Sequence, residues 1–438
     1  MPPPSGHPAR RACRRAFPCL GSAENGSVTT DIEDADRDRA DRCAARARFR
    51  WLWSSAGLSG LADGITRILL PLLVIAEHPR PMALAGLTVA TMAPWLLFAL
   101  PAGVLVDRYD RRLVLLCSNG VRALALVAGM AVCTLTDALP ILYALGFALG
   151  TAETLADTAA PAILPQIVPS EHLERANSRI YAQQIITDMA APPLAGLLVG
   201  AGALPALGVG GSLYAAAAVL VLGLATAPPA RRAENTAGRS MWRDIRTGTA
   251  FVLAHPALAR TLVVSALYAI VFAATGSMLV LLSYQTLGLR ETGYGLLLTI
   301  GSIGSIAGTW IAPRLTARLP LLTVAGATLV LSGLAYVVLG FSSSVAVAGT
   351  ALFCNGIFVM SWNIPMLSLR QRLAPPELQG RVMSVSRLCS WGMMPIGAAL
   401  GGVLAEAASV GAVFVTAGVV LIAGSIALLA PLRSEELI

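Results

Sequence analysis

Six charged residues lie inside long apolar stretches of this chain, where charge is otherwise rare. They are Asp63, Arg67, Arg122, Glu153, Asp157 and Asp188. Each charge costs about 2.5–3.5 kcal/mol at the centre of a membrane-spanning helix, so several together indicate a functional or structural role. A carboxylate in apolar surroundings can hold and release a proton, and an arginine can neutralise it. The residue types therefore predict proton exchange or ion pairing rather than covalent catalysis.

Glu153 and Asp157 are four residues apart, which places both carboxylates on one face of a helix. Two like charges at this spacing disfavour joint ionisation, so the pKa of one of them is expected to rise toward neutrality. The pair is therefore a candidate for proton coupling. In the alternative interpretation, Arg122 or Arg179 keeps both carboxylates ionised.

Asp63 and Arg67 share the same spacing with opposite signs, and the sequence leaves open whether they pair or line a substrate path. Asp188 lies near the middle of another stretch, one turn from Gln184 and shortly before two prolines. Proline releases backbone carbonyls and kinks a helix, which is tolerated where those groups face a cavity. Asp188 and Asp63 are thus further coupling candidates, and Arg67 and Gln184 are candidate cavity residues.

The apolar stretches of the second half carry almost no charge. Trp362 and Asn363 offer an aromatic ring and an amide there, suited to adaptable recognition of an apolar ligand. Both are candidate cavity residues, with plain packing or lipid contact as the alternative. Close helix packing is enough to explain a stripe of small residues at Gly301, Gly304, Ser305 and Gly308.

The composition bounds the fold and excludes several functions. Hydrophobic residues make up 56% of the 438 residues and charged residues only 13%, so the chain is expected in a lipid bilayer. All 32 basic residues are arginine, which excludes lysine nucleophiles, Schiff bases and the lysine-containing ATP-binding loop. The seven cysteines are scattered and predict neither a disulfide framework nor a zinc site. We expect no catalytic centre, cofactor or metal site, and no nucleic-acid binding, because loop arginines explain the net charge of +8.

Twelve windows have the length of about 20 apolar residues that a helix needs to cross the hydrocarbon. They cover 51–76, 83–106, 113–136, 139–161, 177–202, 205–227, 258–282, 293–312, 321–341, 345–369, 382–405 and 410–430. The predicted organisation is a disordered cytosolic tail at 1–50, a six-helix bundle at 51–227, a cytosolic linker loop at 228–257, a second bundle at 258–432 and a tail at 433–438. Residues 1–50 contain no apolar core of a signal peptide.

Loop arginines predict the orientation of these spans. The loops after every second span hold nearly all of them, whereas the alternate loops contain only Arg80 and Arg290. The positive-inside rule then places both termini in the cytosol. We expect a multi-pass monomer in the cytoplasmic membrane.

The chain contains two copies of one unit, offset by 206 positions. Arg108 and Arg112 are matched by Arg314 and Arg318. The segment at 169–178 is matched in the same way at 375–384. Two parallel six-helix halves predict an all-α membrane protein with a substrate cavity between the halves, near mid-bilayer.

The loop sequence of the first copy carries a family resemblance. Gly103-Val-Leu-Val-Asp107-Arg108-Tyr-Asp-Arg111-Arg112 resembles the signature of the major facilitator superfamily. The stretches at 164–177 and 370–382 resemble its drug-efflux branch, which includes enterobactin-exporter-like and macrolide-efflux proteins. The resemblance covers about 51–432 and implies the major facilitator fold.

This resemblance also implies an activity. It implies proton-coupled export, by alternating access, of a small hydrophobic drug-, siderophore- or natural-product-like molecule, as in multidrug-resistance antiporters. The branch's efflux-associated G-P-x-x-G-G motif is altered here to Ala191-Pro-Pro193-Leu-Ala-Gly196, with alanine at two glycine positions. An uptake symporter and a non-transporting sensor or accessory protein remain alternatives, since fold does not fix function.

A role for the loop follows from the same resemblance. In the family, the aspartate matched by Asp107 meets the start of the eleventh helix, where exposed N–H groups favour a carboxylate. Arginines of the loop are expected to pair with acidic residues nearby and to form a latch that breaks when the halves rock. The predicted latch residues are Gly103, Asp107, Arg108, Arg111, Arg112, Arg314 and Arg318. Plain topological anchoring by the arginines is the alternative.

Overall fold

The computed structural model describes residues 26–132, 139–169, 172–224, 241–375 and 378–429, and within these it is helical without strands. The helices are α1 Gly26–Glu77, α2 Pro81–Arg108, α3 Arg111–Val132, α4 Leu139–Ile167, α5 Leu173–Gly200, α6 Ala203–Leu222, α7 Met241–Ala254, α8 Pro256–Leu281, α9 Glu291–Thr316, α10 Leu321–Phe341, α11 Val345–Leu373, α12 Gln379–Trp391, α13 Met394–Ala407 and α14 Val410–Leu429. A π-helical turn, Leu282–Thr286, extends α8.

The chain divides into two compact units, Met1–Ala47 and Arg48–Ile438. Helix α1 begins in the first unit at Gly26, so residues 26–50 are helical rather than the disordered tail that the sequence predicts. Opposite charges four residues apart in the sequence, such as Glu33 and Arg37, favour a helix in this segment. Residues 1–25 and 430–438 lie outside the described part.

Eleven helical segments among the described residues are long and apolar enough to cross a bilayer. Each corresponds to one of the predicted spans. The twelfth, predicted at 177–202, is helix α5, whose 28 residues are also long enough. Its Gln183, Gln184 and Asp188 lower its hydropathy. The all-α plan of two six-helix halves is confirmed, with α1–α6 in the first half and α8–α14 in the second, where α12 and α13 together form one span.

The linker between the halves contains a helix that the sequence analysis does not predict. The prediction is a loop at 228–257, but α7 occupies Met241–Ala254. Val252 of α7 belongs to a small apolar cluster with Leu258, Ala374 and Val382. The burial of this apolar face stabilises the helix against the second half. Residues 225–240 of the linker lie outside the described part.

The span predicted at 382–405 is interrupted in the structure. Helix α12 ends at Trp391 and α13 begins at Met394, with a turn at Gly392 between them. Pro395 lies in the first turn of α13, and it has no N–H to donate to the carbonyl of Trp391 four residues earlier. The missing backbone bond and the glycine together account for the break.

The two ends of the bundle differ in how the halves meet. We call "closed end" the end that carries the connections at 77–81, 200–203, 286–291 and 407–410. The "open end" carries the connections at 108–111, 167–173, 316–321 and 373–379. The names describe how closely the two halves approach each other there.

At the closed end the halves meet through small residues. A Cβ at Gly295 of α9 would lie 2.5 Å from the carbonyl oxygen of Pro192 and 3.2 Å from Cα of Gly196 on α5. A Cβ at Gly402 of α13 would overlap the side chain of Ala85 on α2. Backbones can approach this closely only because the side chains are absent or small.

Further along the bundle, the two halves also meet through an aromatic contact. Trp95 of α2 stacks on Trp391, with ring centroids 5.0 Å apart. Toward the open end, Tyr181 on α5 and Trp310 on α9 are 68% and 67% exposed. Helices α5 and α9 therefore pack against each other at the closed end but leave these side chains uncovered at the open end.

Candidate functional site

A cavity of about 510 Å³ lies between the two halves, from mid-depth to the closed end. Its volume falls within the roughly 300–1,000 Å³ of small-molecule pockets in proteins. Four charged residues line it, all from the first half: Asp63 and Arg67 on α1, Glu153 on α4 and Asp188 on α5. Neutral residues make up the wall that the second half contributes.

The second-half wall combines hydroxyls, an amide and aromatic rings. Its polar members include Thr275, Ser277, Ser302, Ser305, Tyr336 and Asn355, and its larger apolar members include Phe272, Leu298, Val359 and Phe414. Asn355 is fixed by a hydrogen bond that Ser332 Oγ donates to its Oδ1, at 2.5 Å. One side of the cavity can therefore interact with charge, while the other offers apolar surface and weak polar contacts.

Arg122 of α3 forms the most buried ion pair of the described residues. Its Nη1 lies 2.9 Å from Oδ1 of Asp63, and its side chain is only 1% exposed. The same Nη1 donates to Ser59 Oγ at 2.9 Å, and Nη2 donates to the carbonyl of Ala152 at 3.2 Å. Tyr214 completes the group by donating to Asp63 Oδ1 at 2.6 Å. The network joins α1, α3, α4 and α6.

A second ion pair faces the cavity and is much looser. Arg67 Nη2 lies 3.5 Å from Glu153 Oε1, and the two side chains are 62% and 28% exposed. A long, partly exposed pair of this kind contributes little, on the order of 1 kcal/mol. Arg67 and Glu153 can therefore exchange partners without loss of the fold.

The ion pairs argue against one of the two alternatives that the sequence leaves open for Asp63 and Arg67. Asp63 and Arg67 are not an intrahelical pair, since Asp63 binds Arg122 and Arg67 faces Glu153. Each of the two residues has its partner on another helix, and the i,i+4 spacing within one helix cannot predict such a contact. Arg122 is likewise occupied by Asp63 rather than by the Glu153 and Asp157 pair.

The two remaining carboxylates, Asp188 and Asp157, differ in their position relative to the cavity wall. Asp188 is exposed on the cavity wall. Asp157 is also exposed but lies one turn beyond Glu153 toward the open end, outside the described wall. Among the described side chains, neither carboxylate has an ion-pair or hydrogen-bond partner. The described residues also contain no group of three or more His, Cys, Asp or Glu that could hold a metal ion.

Three candidate cavity residues lie away from the described wall. Trp362 is 1% exposed and packs in the apolar core with Met366 and Leu369. Asn363 and Gln184 are exposed but are not among the lining residues. Gln184 lies one helical turn from Asp188 toward the open end, on the same face of α5.

Two loop arginines bind backbone carbonyls within the first half. Arg111 donates to the carbonyl of Ala162 on α4 at 2.7 Å. Arg112 Nε donates to the carbonyl of Val221 at 3.0 Å, and its Nη2 donates to that of Leu222. The last carbonyls of a helix lack intrahelical partners, so Arg112 caps the end of α6. Arg112 thus connects α3 to α6 inside one half.

The other predicted latch residues show no common arrangement. Arg314 donates to the carbonyl of Trp310 on its own helix at 2.6 Å, and Arg108 and Arg318 are exposed. Gly103 has open space where a Cβ would be. The side chain of Asp107 lies outside the described part of the structure. A latch between the halves therefore stays a prediction.

Several residues of the site were not singled out from the sequence. Tyr214, Ser59 and Asn119 belong to the Arg122 network, because Ser59 also donates to Asn119 Oδ1 at 3.2 Å. Asn119 is three residues from Arg122 and so shares its helical face, which is a readable signal. Tyr214 and Asn355 are polar side chains within apolar spans. Polar side chains are rare there, and their presence is a second signal in the sequence that points to a site.

Sequence comparison identifies relatives over most of the chain. Residues 52–398 match the sequence profile of the Major Facilitator Superfamily. The MFS-type transporter y4rN of Sinorhizobium fredii is 28% identical over 385 residues, covering 86% of this chain and 92% of that protein. YfiS, an MFS-type transporter of Bacillus subtilis, is 25% identical over 386 residues, covering 85% and 90%.

Solved structures show the same fold at low identity. The nucleoside transporter NupG superposes with a TM-score of 0.71 at 13% identity, covering 87% of this chain and 98% of that one. A bacterial homologue of the iron transporter ferroportin, in its inward-facing state, superposes with a TM-score of 0.64 at 21% identity, covering 86% and 98%. The two-halved helical fold, the cavity between its halves and the match over residues 52–398 agree: the chain belongs to the Major Facilitator Superfamily of membrane transporters.

Proposed function

We propose that this transporter is a proton-coupled exporter of small, largely apolar molecules, working by alternating access. The observation that carries the proposal is the cavity, which is sealed at one end and contains carboxylates on one wall only. An apolar ligand can rest on the second-half wall while a proton occupies the first-half wall. Both ligands then lie between the halves that must move.

Glu153 and Asp188 are the proposed proton carriers. Both line the cavity, where a proton can reach them from the open end. Glu153 faces Arg67 through a long contact that protonation would release. Asp63 is better suited to a structural role because Arg122 and Tyr214 hold it. Asp157 stays a candidate outside the described wall.

The difference between the two ends of the bundle supports alternating access. In the state described, the halves meet at Gly295 and Gly402, while Tyr181 and Trp310 toward the other end are exposed. Under the cytosolic placement of both termini that the loop arginines predict, the open end faces the cytosol and the cavity takes substrate from there. Rocking of the halves about the cavity would then expose it to the opposite side.

A vesicle assay with a panel of candidate compounds tests the proposal. The purified protein is reconstituted into vesicles that contain a pH-sensitive dye, and apolar dyes and natural products are added outside, one at a time. Antiport predicts that entry of a transported compound drives protons out and makes the lumen alkaline. Glu153→Gln or Asp188→Asn is expected to abolish this proton flux, because an amide cannot carry a proton.

The alternatives give different signals in the same assay. An uptake symporter acidifies the lumen when its substrate enters. A non-transporting sensor binds compounds but moves neither them nor protons. Proton flux that stays at the parent level in both single variants and in the double variant contradicts the proposed carriers.

A further inference from the structure

We infer that the cavity binds a monovalent organic cation with an apolar body, and that Asp188 is the residue that holds the positive charge. The inference rests on the proposed function in taking this cavity as the substrate site, and it adds the substrate class. It follows from the charges of the wall and from the surfaces that face them.

The charges of the cavity wall do not balance. Asp63 is neutralised by Arg122, and Glu153 faces Arg67 at 3.5 Å. Asp188 lies beyond salt-bridge distance of every described side chain, and only the charge of Arg67, which already faces Glu153, attracts it at longer range. When all these groups are ionised, the wall therefore carries one negative charge in excess, and that charge lies on an exposed side chain.

An anionic substrate finds no comparable site here. Arg67 is the one arginine on the described wall, and it already faces a carboxylate. Arg122 is buried behind Asp63 and donates to oxygen atoms of that carboxylate, of Ser59 and of Ala152. An anion in the cavity would have to displace Glu153 and would still lie near the excess negative charge.

The opposite wall suits the body of an organic cation. Phe272 of α8 lines the cavity and is 45% exposed, so its ring can contact a ligand, whereas Tyr336 and Phe414 support the wall from buried positions. Aromatic faces attract cations and also provide apolar contact area. A divalent metal ion fits less well, because it requires several oxygen or nitrogen ligands and no such cluster exists among the described residues.

The test uses three probes that carry phenyl rings on one central atom and differ in charge. They are tetraphenylphosphonium, a cation, triphenylphosphine oxide, which is neutral, and tetraphenylborate, an anion. Equilibrium binding to the full chain is measured in nanodiscs of zwitterionic lipid at one pH, with no gradient present. Tetraphenylphosphonium is expected to bind at least about tenfold more tightly than either other probe, which corresponds to about 1.4 kcal/mol.

Variants then assign the charge selectivity to one residue. Asp188→Asn is expected to weaken tetraphenylphosphonium binding at least about tenfold while leaving triphenylphosphine oxide unchanged, and Asp188→Glu is expected to retain the preference. Glu406→Gln is the matched control, since it removes an exposed carboxylate on α13 outside the described wall. The thermal midpoint of each variant confirms that it is folded.

The inference is overturned if the neutral or anionic probe binds as tightly as the cation, or if Asp188→Asn binds the cation like the parent. These outcomes are separate from failure of the proposed function. Proton coupling is read from flux in vesicles, whereas this selectivity is read from equilibrium binding. A cation-selective cavity without proton flux would refute the coupling alone.

Discussion

Replacement of Arg122 by methionine is expected to destabilise the first half far more than the same change at Arg67. Arg122 and Asp63 are 2.9 Å apart, and the arginine side chain is 1% exposed. With an effective dielectric constant of 20, the attraction at this distance is about 6 kcal/mol. Desolvation of both ions offsets part of it. The remaining cost of Arg122→Met is roughly 3–5 kcal/mol, because Asp63 would be left partly buried without its counter-charge.

Arg67→Met is the matched control, because it also removes an arginine from a helix of the first half. Its partner Glu153 is 3.5 Å away and both side chains are partly exposed. The expected cost is below about 1 kcal/mol. Thermal unfolding in one detergent measures both variants. At about 2–4 °C per kcal/mol for a unit of this size, Arg122→Met should lower the midpoint by roughly 6–20 °C and Arg67→Met by a few degrees at most.

A double-mutant cycle separates the ion pair from the loss of arginine packing. Asp63→Asn keeps an acceptor for the Tyr214 hydroxyl while removing the charge. If the pair acts as described, Arg122→Met combined with Asp63→Asn is less destabilised than the sum of the single variants, since no ion remains alone. Additive effects, or equal losses for Arg122→Met and Arg67→Met, would refute the reasoning.

Two further predictions address the loop and the closed end. Arg112→Gln should lower the stability of the first half by about 0.5–1.5 kcal/mol in thermal unfolding, because the Leu222 carbonyl loses its donor and the Val221 carbonyl keeps only the N–H of Leu224. Exposed Arg108→Gln is the control, and an unchanged midpoint with slowed transport would favour a latch instead. Gly295→Val should force the closed end apart, because even a Cβ would lie 2.5 Å from Pro192 O. In this variant, a cysteine introduced at Thr292 should react faster with a membrane-impermeant thiol reagent than it does with glycine at position 295. Gly120→Val, at a glycine with open space around it, should leave that rate unchanged.

The fold was readable from the sequence because bilayer insertion depends on local composition. Apolar windows give the spans, and the 206-residue offset between Arg108 and Arg314 shows the repeat. Helix α5 was predicted for the same reason, although its Gln183 and Asp188 lower its hydropathy. The sequence analysis does not predict the break before α13. A hydropathy window averages over many residues, so it is insensitive to a single proline that removes one backbone hydrogen bond.

The site was readable only in part, because the sequence shows which residues are charged but not which helices meet. Asp63 and Arg67 have the spacing of an intrahelical pair, yet each binds a partner on another helix. By residue type, Trp362 fits either the cavity or the core, and the structure places it in the core with 1% exposure. Partner choice depends on the rotation of each helix within the bundle, and a nearly uniform apolar span contains little information about that rotation.

The six intramembrane charged residues thus fall into groups that differ in burial and not in sequence spacing. Arg122 and Asp63 are joined by several short hydrogen bonds that include Tyr214, so their separation would leave buried polar groups unsatisfied. Arg67 and Glu153 share one long, exposed contact, which a proton or a ligand can replace at small cost. A transporter needs both kinds of group, since a rigid half must move as one body while its binding wall changes charge. The buried pair meets the first need, and the cavity-facing residues, with Asp188 beside them, can meet the second.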